Sequence, residues 1–217
     1  MAPPTERKRE KRTFWYTLAR VLLFFFVPLF YPVRYHGTKQ ADALDAPYLL
    51  VSNHGSMMDP LVIVLPIKRF EVRFLGKSEL VKNPILAYLV RKLHMISVSR
   101  HMTDMAAMRA SNEVLKAGHV LGIFPEGTRK PPERLMEGVE SGVSLIALRN
   151  KVPVLPVYIH GRMRPFRRTH IYYLPPLEYG HLLEKGLGKD TVDAFTDLLT
   201  GTFLDARDRV QAGQDRV

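Results

Sequence analysis

Short apolar runs alternate with amphipathic stretches along most of this chain, and that alternation predicts its elements. Strands are expected at 48–52, 71–75, 95–100, 119–124 and 170–174, with a weaker one at 33–37. Another is expected at 153–159, interrupted by Pro156. Between them, helical spacing appears at 60–66, at 78–92 behind a plausible Ser78 cap, at 103–117 with Gly118 ending it, and at 138–150. A last helix starts near Asp190 and keeps Val192, Phe195, Leu199, Phe203 and Val210 on one stripe. Strands and helices in regular alternation define an α/β domain, whose functional loops belong at strand ends.

The first 33 residues follow a different pattern. Arg7, Lys8, Arg9, Lys11 and Arg12 are followed at once by Phe14, Trp15 and Tyr16, then by an uncharged apolar run from 21 to 33. No small-residue cleavage site follows, which argues against a signal peptide. The run is shorter than the ~20 residues that a transmembrane helix needs, and Pro28 and Pro32 break it. Thr13, Thr17 and Arg20 share one helical stripe with apolar residues around the rest. This predicts a helix lying in a membrane interface and a kinked or re-entrant segment after it, with a true span or a core helix as alternatives. The expected organisation is an anchoring segment at 1–33 and an α/β domain at 34–217.

Charge sharpens the membrane reading. The 217 residues carry a formal net charge of +11, which suits an anionic partner, either a phospholipid surface or nucleic acid. Placed on an anionic leaflet, the basic cluster points to the cytoplasmic face of the cell membrane. There is no cysteine, so disulfides, thiolate metal sites and a cysteine nucleophile are excluded. His36, His94, His101, His119, His160, His170 and His181 show no metal-ligand spacing, and no phosphate-binding glycine loop is present. No metal or bound cofactor is therefore expected. Arg162, Arg164, Arg167 and Arg168 form a basic patch that suits anionic lipid, an acidic protein, a phosphate-bearing small molecule, or plain solvent.

The chemistry concentrates in two loops. Residues 52–60 read Ser-Asn-His-Gly-Ser-Met-Met-Asp-Pro, with His54 and Asp59 five residues apart after an apolar run. Five helical residues turn through about 500°, so the pair can meet only if the chain turns between them, as Gly55 permits. Roughly 0.4 such His–Asp spacings are expected by chance in a chain of this composition, so the pair carries weight only with the second loop. That loop, Phe124-Pro125-Glu126-Gly127-Thr128-Arg129, also follows an apolar run.

Together the two resemble the glycerolipid acyltransferases of the 1-acylglycerol-3-phosphate acyltransferase type, whose signature is Asn-His-x-x-x-x-Asp followed about 70 residues later by Phe-Pro-Glu-Gly-Thr-Arg. The segment 74–80 around Lys77 looks like the family's lysine segment, the block ending in Arg100 like its second motif, and residues 152–157 like its fourth. The resemblance extends from about residue 48 to 159. His94 and Ser97 depart from the second motif's usual glycine and bulky apolar residue, and Glu137 replaces a common basic residue. These departures bear on acceptor specificity.

The resemblance implies a mixed, largely parallel sheet flanked by helices. It also implies acyl transfer from acyl-CoA or acyl carrier protein, as co-substrate, to the free hydroxyl of lysophosphatidic acid. His54 would serve as general base, Asp59 would hold its tautomer, and no acyl-enzyme would form. Arg129 and Arg100, with Lys77 as a looser third, are the phosphate candidates, because guanidinium groups grip phosphate oxygens bidentately. Glu126, Gly127 and Thr128 complete the acceptor site. Glu126 would orient Arg129 or bind a glycerol hydroxyl, and Gly127 would let the backbone approach. Four alternatives stand beside this: another lysophospholipid or glycerol 3-phosphate as acceptor, a hydrolase using Ser52 or Ser56, a lipid-binding scaffold without turnover, and a nucleic-acid-binding module. No pattern for nucleic-acid recognition is legible, and no Gly-x-Ser-x-Gly elbow supports the hydrolase.

Overall fold

A computed structural model describes residues 14–77, 96–98 and 104–214. At its centre is one seven-stranded sheet. In chain order the strands are β1 (Val33–His36), β2 (Leu49–Ser52), β3 (Val72–Lys77), β4 (Ile96–Val98), β5 (Val120–Ile123), β6 (Val154–His160) and β7 (Thr169–Tyr173). Across the sheet they lie β1-β7-β6-β2-β5-β3-β4. Every pairing is parallel except β6–β7, so the sheet is mixed and largely parallel.

Side-chain alternation divides the strands between two cores. Leu49 and Val51 of β2, Leu121 and Ile123 of β5, and Val154 and Tyr158 of β6 face one layer. Leu50, Val120, Leu155, Val157 and Ile159 face the other. The first layer is covered by α4 (Asp104–Lys116), α5 (Gly142–Asn150) and α7 (Lys189–Gln211). Phe195, Leu199 and Phe203 of α7 are fully buried there, each contributing about 1.5–3 kcal/mol of transfer free energy. The second layer is covered by α3 (Asp59–Ile63) and reaches Val27 of α1 (Phe14–Phe30). Two short helices, α2 (Lys39–Asp42) and α6 (Gly180–Leu183), fill corners.

This arrangement fixes where a site can form. β2 and β5 are neighbours, yet the chain leaving β2 enters α3 on one face and the chain leaving β5 reaches α5 on the other. Adjacent strands whose connections part to opposite faces open a crevice at their carboxyl ends. Both sequence motifs occupy that crevice.

Four elements differ in detail from their sequence expectation. β6 runs unbroken through Pro156, whose carbonyl accepts from Leu174 N–H just past the end of β7. A strand residue's N–H and C=O point to the same side, so the missing donor falls at the end of the β6–β7 ladder and spares the β2 pairing. The helix expected from 138 starts only at Gly142, because Gly138 is left-handed (φ 65°) and Glu140 N–H is taken by Pro125 O. α1 continues through Pro28 to Phe30, since a proline in the last turn forfeits only one intrahelical bond. The helix expected to reach residue 66 stops at Ile63. There the Tyr35 hydroxyl donates to Val62 O (3.0 Å) and the Tyr173 hydroxyl to Ile63 O (2.5 Å), satisfying carbonyls that a short helix leaves open. The helix expected at 78–92 lies outside the described residues.

These two tyrosines seat the helix that begins with Asp59. Tyr173→Phe leaves the buried Ile63 carbonyl without a donor and is expected to cost about 1–3 kcal/mol, read as a lower urea midpoint with an unchanged slope. An unchanged midpoint would show that the hydroxyl bears no part of the fold.

Candidate active site

The first motif begins where β2 ends. Asn53 extends the sheet with its side chain: its amide donates to Ile159 O (3.0 Å) and its carbonyl accepts from Ile159 N–H (2.8 Å). An amide side chain here does what the next backbone unit of β2 would have done, and the backbone is free to turn away from β6. His54 follows at once.

The turn is held by Asp59 itself. Its Oδ2 accepts from Gly55 N–H (2.7 Å) and Ser56 N–H (2.7 Å) and lies 2.9 Å from His54 Nδ1. An oxygen that already receives two donors is an acceptor, so Nδ1 carries the hydrogen and Nε2 keeps its lone pair. Asp59 is fully buried, and among the described residues its Oδ1 has no hydrogen-bond partner. The carboxylate is therefore poorly screened, and positive charge forming on the imidazole is stabilised more strongly than it would be beside a hydrated carboxylate. The His54 side chain keeps 19% of its surface exposed. A buried carboxylate behind a half-accessible imidazole is a general-base arrangement.

The second motif grips the first. Glu126, 4% exposed, accepts from His54 N–H through Oε2 (2.8 Å) and from Met136 N–H through Oε1 (2.8 Å). Burial pushes the Glu126 carboxyl up, while those two N–H groups and the charges of His54 and Lys130 pull it down. Lys130 N–H donates to His54 O (2.7 Å), a second clamp from the same loop. The left-handed backbone at Gly127 (φ 63°) brings the loop under the Glu140 carboxylate, where a Cβ would collide with it.

An aromatic stack closes one face of the histidine. The Phe124 ring lies over His54 with centroids 4.2 Å apart and planes 24° from parallel, and Phe74 stacks behind Phe124 at 5.5 Å. Phe74 fits because Gly122 of β5 has no side chain; a Cβ there would enter its ring. An aromatic face against an imidazole keeps water off one side of the ring. Sequence reading placed Phe124 in a motif without giving it this role, and it did not single out Phe74 or Gly122. The signal available was a glycine inside an apolar strand, which marks close approach of a neighbour.

The remaining candidates are placed unevenly. Thr128 is exposed at the crevice, with its Oγ1 3.4 Å from Glu126 O. Arg129 is exposed, and among the described residues its side chain has no partner. Lys77 is the last residue of β3, in register with Val98, and Arg100 lies outside the described residues. The two serines are otherwise engaged: buried Ser52 donates to Asn53 O (3.1 Å), and Ser56 Oγ accepts from Met58 N–H (3.3 Å). Among the described residues, no group of three or more His, Asp or Glu side chains is arranged to hold a metal ion.

An α/β sheet with a carboxylate-held histidine at its carboxyl edge, clamped by a second loop, defines a class of general-base site. Comparison with known proteins shows the family. The Acyltransferase family model matches residues 32–160, more than half of the chain, and the protein belongs to that family. It is 25% identical over 117 residues to a 1-acyl-sn-glycerol-3-phosphate acyltransferase of Bacillus subtilis, a match covering 54% of this chain and 57% of the relative. It is 30% identical over 131 residues to the protein of that name from Streptococcus pneumoniae, covering 60% and 48%. The chain thus spans about half the length of these curated relatives. Its fold matches the crystal structure of the Thermotoga maritima acyltransferase PlsC with a TM-score of 0.68 at 24% identity, over 91% of this chain and 78% of that one.

The clamp makes a testable demand. Glu126→Gln turns one acceptor oxygen into an NH2 group facing a backbone N–H. Hydrogen exchange at the His54 or Met136 amide should accelerate by about five- to a hundredfold, the equivalent of 1–3 kcal/mol. Unaltered exchange at both amides would remove Glu126 from this role.

Proposed function

We propose that the protein transfers an acyl chain from acyl-CoA or an acyl carrier protein to the free hydroxyl of lysophosphatidic acid, forming phosphatidic acid at a membrane surface. The observation that carries the reading is the His54–Asp59 pair, oriented so that Nε2 is the nitrogen left to accept a proton. The names of the relatives supply the substrate class.

The reaction follows from that orientation. The acceptor hydroxyl gives its proton to His54 Nε2 as its oxygen attacks the thioester carbonyl. Asp59 stabilises the imidazolium. The C–S bond then breaks, and the imidazolium returns the proton to the departing sulfur. No enzyme nucleophile is consumed, in keeping with the engagement of Ser52 and Ser56 inside the loop.

Phosphate recognition is assigned to Arg129, with Arg100 and Lys77 as further cations. Arg129 precedes Lys130, whose N–H is bonded to His54 O, so its backbone lies beside the catalytic loop. Thr128 and Gly127 line the approach, and Glu126 acts by holding that approach in register with His54. The 1–33 segment anchors the protein on the cytoplasmic face of the membrane. Among the described residues no helix is long and apolar enough to cross a membrane, and an interfacial helix needs no such length. A second reading, acylation of another lysophospholipid, draws support from 31% identity over 144 residues to the mouse lysophospholipid acyltransferase LPCAT4, 63% of this chain and 25% of that one.

Labelled acyl chain offered as acyl-CoA and as acyl carrier protein, with lysophosphatidic acid or lysophosphatidylcholine in detergent micelles, tests the proposal. His54→Ala should lower turnover by about two to four orders of magnitude with an unchanged circular dichroism spectrum; a fully active variant would refute the mechanism. Arg129→Ala should raise the KM for the phosphate-bearing acceptor by about ten- to a hundredfold, the value of a charge-assisted hydrogen bond. A normal acceptor KM would exclude it from the phosphate site.

A further inference from the structure

The loop between β6 and β7, residues 161–168, has no part in the chemistry described above, yet it is built in an unusual way. Arg162, Arg164, Arg167 and Arg168 are all exposed, and no acidic residue interrupts them. In their midst Phe166 is 74% exposed with φ at 60°, a left-handed conformation that a bulky aromatic adopts only when it is held there.

The loop is pinned at several points. Met163 is buried in the core layer shared with α3. Arg167 N–H donates to Arg164 O (3.3 Å), closing a turn, and Phe166 N–H donates to Phe30 O at the end of α1 (2.6 Å). The Phe166 ring meets the Phe30 ring edge-on at 5.9 Å. Thr169 N–H, at the start of β7, donates to Pro32 O. The outward Phe166 is thus fixed to the last turn of α1.

The C-terminal half of α1 carries exposed apolar side chains: Phe25 is 70% exposed, Leu29 67%, Phe24 58% and Phe30 46%. The apolar surface of α1 therefore continues through Phe30 into Phe166, which two exposed arginines precede and two follow in the same loop. The ridge lies at one defined edge of the molecule. β6 ends at His160, beside the Asn53 bonds to Ile159, so the loop leaves from the edge that carries His54.

We infer that the β6–β7 loop is a second membrane-docking element, in which Phe166 enters the interface and the four arginines bind anionic headgroups, turning the His54 edge toward the bilayer. The inference rests on the membrane-surface reading above and adds a residue-level contact to it. A lipid surface is favoured over an acidic protein because the charge shares its loop with an exposed apolar residue continuous with α1, and a bilayer covers both at once. An acidic carrier protein seated on the arginines would leave the ridge in water.

The test uses the full chain with extruded vesicles of neutral phosphatidylcholine, alone or with 30% phosphatidylglycerol. The variant Arg164→Ser/Phe166→Ser/Arg167→Ser should lose at least about tenfold in affinity for the anionic vesicles and change little on neutral ones. Its acyl transfer in detergent micelles should stay within about twofold of the parent. Placed in a Trp15→Phe background, Phe166→Trp should shift its emission to the blue on anionic vesicles. Affinity unchanged within about twofold, or an unshifted emission, would overturn the inference. So would transfer lost only with acyl carrier protein while vesicle binding holds, which would make the loop a carrier-docking site. If the parent chain itself fails to bind either vesicle, the membrane reading as a whole falls, a result distinct from failure of the loop.

Discussion

Two loops that depart to opposite faces of a sheet have no inherent reason to stay in register, and here the register depends on one buried carboxylate. Glu126 spans the crevice with one oxygen on the His54 amide and the other on the Met136 amide. Hydrogen bonds to a charged acceptor in a low-dielectric site are stronger than neutral ones, and each fixes a direction as well as a distance. Desolvation works against the ionised carboxyl, and the same two amides with His54 and Lys130 work in its favour. Because both oxygens are taken by the backbone, Glu126 reaches a ligand only by sharing those bonds. Its hold on His54 passes through the backbone amide.

The electrostatics of the site come in layers. Asp59 faces His54 from below, with two amides on the bonding oxygen and none on the other. Phe124 covers the ring from the side. The exposed Arg129 and the end of β6 lie on the same edge of the sheet. His54 and Arg129 are thus drawn from the loops that follow two different strands, β2 and β5.

Much of this was legible before the fold was known. Alternating apolar runs located the strands because β2, β5 and β6 are buried on both faces and so read as continuous apolar segments. The stripe on α7 was legible because a helix against a sheet buries one face only; Val192, Phe195, Leu199 and Phe203 are buried, and Val210 packs partly against the same core. His54 and Asp59 were legible as a pair, though the turn was attributed to Gly55, whereas the Asp59 carboxylate does the folding by taking the Gly55 and Ser56 amides. Tertiary effects were not legible. Nothing in sequence spacing connects Tyr35 and Tyr173 to the end of α3, 27 and 110 residues away from their acceptors. Pro156 misled for a related reason: whether a proline breaks a strand depends on which neighbour its missing donor would have faced, and that is set by sheet order.

Gly122 gives the site a dependence on packing that stability engineering would meet first. A glycine within a buried strand is the position where alanine is ordinarily introduced to restrict the unfolded chain and gain a few tenths of a kcal/mol. Here the vacancy at its Cβ is occupied by Phe74, which abuts Phe124, which in turn abuts His54. A methyl group added at Gly122 is relayed ring by ring to the His54 imidazole. Packing at the sheet centre and the seating of the His54 ring are thus a single design variable in this protein, and alanine at Gly122 would shift the ring stack instead of yielding the ordinary gain in melting temperature.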